Sequence, residues 1–250
     1  ESICELNIDW SNNNLFNSYN NRQRPPDSAC MEDYVGEQDI SKCVVELWGE
    51  YYSIENTTEL NLSNSGLTGE IPPEIGNLTN LTYLNLGHNQ LTGEIPPEIG
   101  NLTNLTSLRL TTNQLTGEIP SEIGNLTNLE FLSLFNFTSE IPPELGNLTN
   151  LEVLGLHSNQ LIGGIPPEIG NLTSSTQLSV QYNQLSGEIP SEIGNLTNLT
   201  SLALSSNQLT GSIPSEIGNL ENLTLLYLRV NQLTGEIPPE VCDLMESNNM

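Results

Sequence analysis

His88 and His157 are the two imidazoles of this 250-residue chain, and imidazole is the side chain best suited to moving protons near neutral pH. Neither has a nucleophile, an acid–base partner or a metal-ligand spacing beside it, and no glycine-rich phosphate loop accompanies them. Catalysis is not expected from this set, and each reads as a surface histidine. The carboxylates are more informative. There are 31 Asp and Glu against five Lys and Arg, a formal net charge of −26. Glu74, Glu98, Glu122, Glu144, Glu168, Glu192, Glu216 and Glu240 recur at a nearly constant interval. A second series, Glu70, Glu94, Glu118, Glu140, Glu188 and Glu236, is broken by Gly164 and Ser212. If equivalent positions stack roughly 5 Å apart, as neighbouring strands do, each series is a row of like charges. Clustered oxygens suit Ca2+, which makes the first row a candidate cation site. The plainer reading is a solubilising surface.

The same charge balance excludes nucleic acid as a partner, because phosphate binding needs a basic footprint. No apolar run approaches the length of a membrane span. Cys4, Cys30, Cys43 and Cys242 lie outside the regular part of the chain. That placement favours disulfides in the end segments and an oxidising compartment over a metal site, with the connectivity open. Thirteen N-x-S/T sequons are glycosylation candidates: Asn56, Asn61, Asn77, Asn80, Asn101, Asn104, Asn125, Asn136, Asn147, Asn171, Asn195, Asn198 and Asn222. Their density follows from copying of an N-L-T phrase, but a secretory pathway would still use a subset and add N-linked glycans. No other cofactor is expected, and the chain is placed outside the cell or at its surface.

What positions all these groups is a repeat. One copy runs LTYLNLGHNQLTGEIPPEIGNLTN from Leu81 to Asn104, and copies begin at Thr57, Leu81, Leu105, Leu129, Leu151, Ser175, Leu199 and Leu223. All eight units have 24 residues except the fourth, which lacks two around Phe135–Ser139. A fixed period in this range means a solenoid whose units pack only on their neighbours. Leu84 and Leu86 give a short strand with one face buried, and Leu81, Leu91, Ile95, Ile99 and Leu102 complete the inward set. Asn89, Asn113, Asn159, Asn183, Asn207 and Asn231 share one phase and suit a buried ladder bonding the backbones of adjacent coils. The Ile-Pro-Pro or Ile-Pro-Ser step removes amide donors, so the far side should be irregular rather than a second full sheet.

The pattern L-x-x-L-x-L-x-x-N-x-L-x-G-x-I-P over residues 57–246 closely resembles the plant-type subclass of the leucine-rich repeat family. The resemblance implies a curved right-handed solenoid with a parallel β-sheet on its concave face. It also implies a non-catalytic role, because such arrays serve as receptor ectodomains, inhibitors, adhesins and, occasionally, ice-binding proteins. Residues 1–43 read as the close of a preceding array followed by an irregular polar segment, 44–56 as a capping strand, 57–246 as eight repeats and 247–250 as a tail. Trp48, Tyr51 and Tyr52 are suited to covering the first coil. The other end reads as poorly capped, which suggests head-to-tail association into filaments, with Cys4 and Cys242 near the joint.

Variation between the units is itself a signal. It concentrates at strand positions that point outward: Tyr83, Asn85 and His88, then Arg109, then Phe131 and Phe135, then His157, Gln181 and Tyr182, then Tyr227 and Arg229. A concave sheet bearing these side chains suits an extracellular protein or glycan. Thr79, Thr103, Thr127, Thr149, Thr173 and Thr197 form a third ladder of the kind ice-binding solenoids carry. The expected function is an extracellular scaffold that binds protein or associates with itself. A receptor-like ectodomain and an ice-binding protein are the alternatives.

Overall fold

The computed structural model describes residues 44–248. Expectations placed on residues 1–43 and 249–250, those for Cys4, Cys30 and Cys43 among them, lie outside these residues. Eight strands of three residues form one parallel sheet in chain order: Glu59–Asn61, Tyr83–Asn85, Ser107–Arg109, Phe131–Ser133, Val153–Gly155, Gln177–Ser179, Ser201–Ala203 and Leu225–Tyr227. The register pairs each central leucine with the next, as Leu84 with Leu60 and Leu108. These leucines point into a continuous apolar core that runs the length of the array. Leu81, Leu84, Leu86, Leu91, Ile99 and Leu102 are fully buried, as the inward pattern requires.

Each strand is followed three residues later by a residue in the left-handed region: Asn64, His88, Thr112, Asn136, Ser158, Tyr182, Ser206 and Val230, with φ between 55° and 73°. This conformation turns the chain out of the sheet and aims the following side chain inward. In most coils that side chain is the ladder asparagine. Asn113 accepts the N–H of Leu91 at 3.0 Å and donates to the carbonyls of Leu86 (2.9 Å) and Leu110 (3.2 Å). Asn159, Asn183 and Asn207 repeat the arrangement. Among the described residues no buried side-chain N or O lacks a hydrogen-bond partner.

The back of the coil is more regular than its prolines suggested. Pro73–Asn77 forms a 3-10 turn, repeated at Pro97–Asn101, Ser121–Asn125, Pro143–Asn147, Pro167–Asn171, Ser191–Asn195 and Ser215–Asn219. Proline suits these starts because the first amides of a helical turn have no internal partner. Each turn runs into an inverse γ-turn, as at Leu78 (φ −79°, ψ 56°), where Thr79 N–H reaches Asn77 O at 2.9 Å. Successive turns touch so closely that a Cβ on Gly76 would lie 2.7 Å from the Cβ of Glu98. Short parallel ladders join Thr68–Gly69, Gln90–Gly93 and Gln114–Leu115, and separately Ser186–Glu188 and Gln208–Thr210. The break between them falls at the shortened fourth coil and its successor. So the back carries no full second sheet, but it is ordered by repeated turns rather than irregular.

Both ends of the described chain differ from the sequence reading. Residues 44–56 hold a hairpin, not one strand: Val44–Leu47 pairs antiparallel with Glu50–Ser53 across Trp48-Gly49. Both turn residues have positive φ, 49° and 79°, the twist that a two-residue hairpin needs. Tyr52 is buried on the first coil, and Trp48 donates its indole N–H to Glu70 O at 3.1 Å. At the other end Pro239–Ser247 is an α-helix rather than the close of a coil. It buries Val241 and Leu244 against the last 3-10 turn, and Asn248 donates to the carbonyls of Glu221 and Leu223. This helix takes the place of the 3-10 turn in the eighth coil and covers the back of the seventh. The sheet half stays open: Leu226, Leu228 and Leu233 are only partly buried where Leu202, Leu204 and Leu209 are completely so.

Candidate functional site

Three rows of side chains stand on the open face of the eight-stranded sheet. The first strand position carries Tyr83, Ser107, Phe131, Val153, Gln177 and Ser201 in turn. The third carries Asn85, Arg109, Ser133, Gly155, Ser179, Ala203 and Tyr227. The position two residues beyond carries Phe135, His157, Gln181, Ser205 and Arg229 from the fourth coil onward. Ser133, Gly155 and Ala203 are buried although they lie on this face, because the rows on either side stand taller. The middle row is thus the floor of a trough that begins beyond Arg109 and closes at Tyr227.

The structure gathers Tyr83, Asn85, Arg109 and Phe131 into one group. The Arg109 guanidinium carbon lies 4.3 Å from the Phe131 ring centre and 5.9 Å from that of Tyr83. These are cation–π contacts with the neighbouring strand on each side. Asn85 donates to the Tyr83 hydroxyl at 3.2 Å and accepts the Gly87 N–H at 3.0 Å, which fixes the phenol. Arg109 Nε donates to Ser107 Oγ at 3.4 Å. No carboxylate pairs with Arg109 among the described residues, so its outer N–H groups face solvent.

Phe135 and His157 form a second group, edge to face, with ring centres 4.6 Å apart. His157 Nδ1 lies 3.3 Å from Ser158 Oγ. Burial beside the phenyl ring holds the His157 pKa below the ordinary imidazole value. Gln181 accepts from Ser205 at 3.3 Å. His88 and Tyr182 belong to the left-handed row, at the rim of the sheet rather than on it. Tyr227 and Arg229 stand at the far end, with Tyr227 44 % exposed. The sequence reading missed the trough floor, whose signal was available as small residues in one phase of four consecutive units.

The other candidates separate by environment. The Glu74 row lies at the first turn of each 3-10 segment and, at Glu240, of the C-terminal helix, and its members are exposed apart from half-buried Glu122. Among the described residues no group of three or more Asp, Glu, His or Cys is placed to hold a metal ion. The row places one carboxylate per coil along a line, as the solubilising reading expects. Ten of the thirteen sequons fall into two classes. Asn77, Asn101, Asn125, Asn147, Asn171 and Asn195 are exposed at the ends of the 3-10 turns, and the first three line a shallow groove on the flank with Thr79 and Thr103. Asn80, Asn104, Asn198 and Asn222 instead donate their amides to the carbonyls of Glu55, Thr79, Thr173 and Thr197 on the preceding coil, at 2.8–2.9 Å. That bonding, which Asn128 and Asn150 share without being sequons, is a framework role that the sequon count concealed. Cys242 is exposed on the C-terminal helix and unpaired among the described residues.

No helix among the described residues is long and apolar enough to cross a membrane. Family models agree with this architecture: a leucine-rich repeat region matches residues 58–162, and single leucine-rich repeats match 175–196, 198–220 and 222–244. Among curated proteins none matches the chain. Among solved structures, a TDR receptor is 42% identical, with a TM-score of 0.72, over 74% of this chain and 33% of that one. The Arabidopsis receptor kinase HAESA, solved with the peptide hormone IDA and the co-receptor SERK1, is 40% identical, with a TM-score of 0.69, over 72% of this chain and 31% of that one. A plant ice-binding protein is 32% identical, with a TM-score of 0.51, over 69% of this chain and 71% of that one. The chain spans about a third of the length of the receptor structures it matches. With its period, parallel sheet, asparagine ladder and these likenesses, the chain belongs to the leucine-rich repeat family, with repeats of the plant type.

Proposed function

We propose that this chain is an extracellular, non-catalytic recognition module that binds a protein or peptide on its concave face. The observation that carries this reading is the Arg109 group: a guanidinium stacked on Phe131 and beside Tyr83, with no carboxylate paired to it. An aromatic and arginine surface of this kind is typical of residues that dominate protein interfaces. A framework role would not require it, because the next four strands hold their register with Ser133, Gly155, Ser179 and Ala203 at the position of Arg109. The likeness to HAESA, solved with a peptide hormone and a co-receptor, supports the same direction. The test is selection of a displayed peptide and protein-domain library on the secreted chain. Binders should be lost when Tyr83, Phe131 and Phe135 are changed together to serine, with the far-ultraviolet spectrum unchanged. Binders that all survive this triple change would refute the concave reading.

A second reading, end-to-end association, is supported by the open sheet half of the eighth coil, where Val230 and Ile237 are 69% and 51% exposed. Sedimentation velocity should then show mass rising with concentration, and Leu228→Glu should abolish the rise. A strictly monomeric chain at high concentration would remove it. Ice binding is supported by the exposed Asn77 and Thr79 rows and the likeness to an ice-binding protein. It predicts inhibition of ice recrystallisation that is lost when three adjacent threonines of the row become lysine.

A further inference from the structure

Among the described residues the chain has two cations besides its histidines, Arg109 and Arg229. Both stand on the concave sheet, although the surface elsewhere offers many carboxylates. Neither forms an ion pair with a described carboxylate, and Arg109 is held in place by rings rather than by charge. In a chain of net charge −26, an unpaired guanidinium on the most varied face is an anchor for an anionic group brought by something else.

The two arginines also define a length. Five sheet steps separate the strand of Arg109 from that of Tyr227, two residues before Arg229. At about 4.8 Å per step the separation is roughly 24 Å, which an extended peptide spans in about seven residues at ~3.4 Å each. Between them the trough floor is Ser133, Gly155, Ser179 and Ala203, small enough to admit a backbone and devoid of charge.

Resting on the concave-face reading, we propose that the ligand is an extended peptide with two carboxylates about seven residues apart, uncharged between them. One carboxylate meets Arg109 and the other meets Arg229. Further acidic groups along the ligand are disfavoured, because the chain's own field repels them. The carboxylates can come from Asp or Glu side chains or from the peptide's C-terminus, since the guanidinium fork fits each alike.

The test uses the whole chain and fluorescein-labelled synthetic peptides of Ser, Ala and Tyr that carry two Asp residues four to ten positions apart. Each is made with a free and with an amidated C-terminus, and binding is read by fluorescence anisotropy at low and moderate salt. Affinity should peak at a spacing of six to eight. Arg109→Gln and Arg229→Gln should each weaken the best peptide about tenfold and flatten the spacing profile. Amidation distinguishes a terminal from a side-chain source at the end it affects. A flat profile, or full affinity in either variant, overturns the two-anchor inference while leaving the concave reading to its library selection. Absence of binding by every peptide overturns it as well, as does preferential binding of an acidic oligogalacturonide added as a competitor.

Discussion

The side-chain oxygen of Asn159 accepts the backbone N–H of Phe137 at 2.9 Å, across the step from the fifth coil to the fourth. Two residues are missing from the fourth coil, and the ladder asparagine went with them. Phe137 now occupies the inward position that leucine holds in the other coils, fully buried. Asn136 reaches back to the carbonyl of Asn113 at 2.7 Å, which covers part of the gap. The ladder is therefore interrupted in sequence but bridged in space.

Asn159→Ala should be among the more costly single changes in the array. It strands the carbonyl of Leu134 and the N–H of Phe137 in a dry core, while the Leu156 carbonyl keeps Asn183. A loss of about 2–4 kcal/mol is expected, read by urea unfolding. Asn231→Ala, at the partly open last coil, should cost less than half as much. Equal losses would argue against the ladder's dependence on burial.

Gly124→Ala should destabilise more than Gly187→Ala, although only the second has a positive φ, 77°. A Cβ at Gly124 would lie 2.8 Å from the Cβ of Glu144, against a neighbouring turn that cannot withdraw without parting the coils. At Gly187 nothing lies within 4 Å, so only backbone strain is added. About 2–3 kcal/mol is expected for the first and about 1 kcal/mol for the second. Thermal unfolding of the two variants side by side measures the order.

His157 should contribute to pH dependence in one direction. Its folded pKa is lowered by burial, so the folded chain binds fewer protons there than the unfolded chain. Its contribution is complete above the ordinary imidazole value of 6.5 and is lost as pH falls through the folded value. The difference in stability between the wild type and His157→Gln should therefore shrink on acidification below neutrality. A difference that is constant from pH 8 to 5 would show that this ring is not desolvated.

Calcium should not stabilise the fold. With one carboxylate per coil in each row, millimolar Ca2+ should leave the melting temperature within about 1 °C of the value in chelator, since only specific binding to the native state raises it further. A rise that saturates with Ca2+ would make the Glu74 row a cation site.

The period, the inward leucines and the asparagine ladder were legible because each is a side-chain type repeated in phase, and burial selects side-chain type. The left-handed row was not. Its residues, His88, Tyr182 and Val230 among them, share a backbone conformation but no chemistry, and valine is the residue least expected there. The C-terminal helix was hidden by likeness. Pro239-Glu-Val-Cys-Asp-Leu244 matches the end of a repeat, where Pro-Glu-Ile-Gly-Asn makes one 3-10 turn. Cys242 stands where the others have the glycine that lets the next coil approach. There the turn continues as an α-helix. Of the candidate site, sequence gave the outward residues but not their grouping. The stacking of Arg109 on Phe131 depends on which side chains are neighbours across strands, and that needs the register.

The fourth coil absorbs its two missing residues wholly in the turn behind the sheet. On either side the strands keep the same pairing, Leu132 with Leu108 and with Leu154. Errors of length thus stay where they arise and are not passed along the array. A gene for such a chain can gain or lose short stretches in its turns while the inner surface keeps its spacing, so the outline of the molecule and its reading frame for a ligand are free to evolve separately.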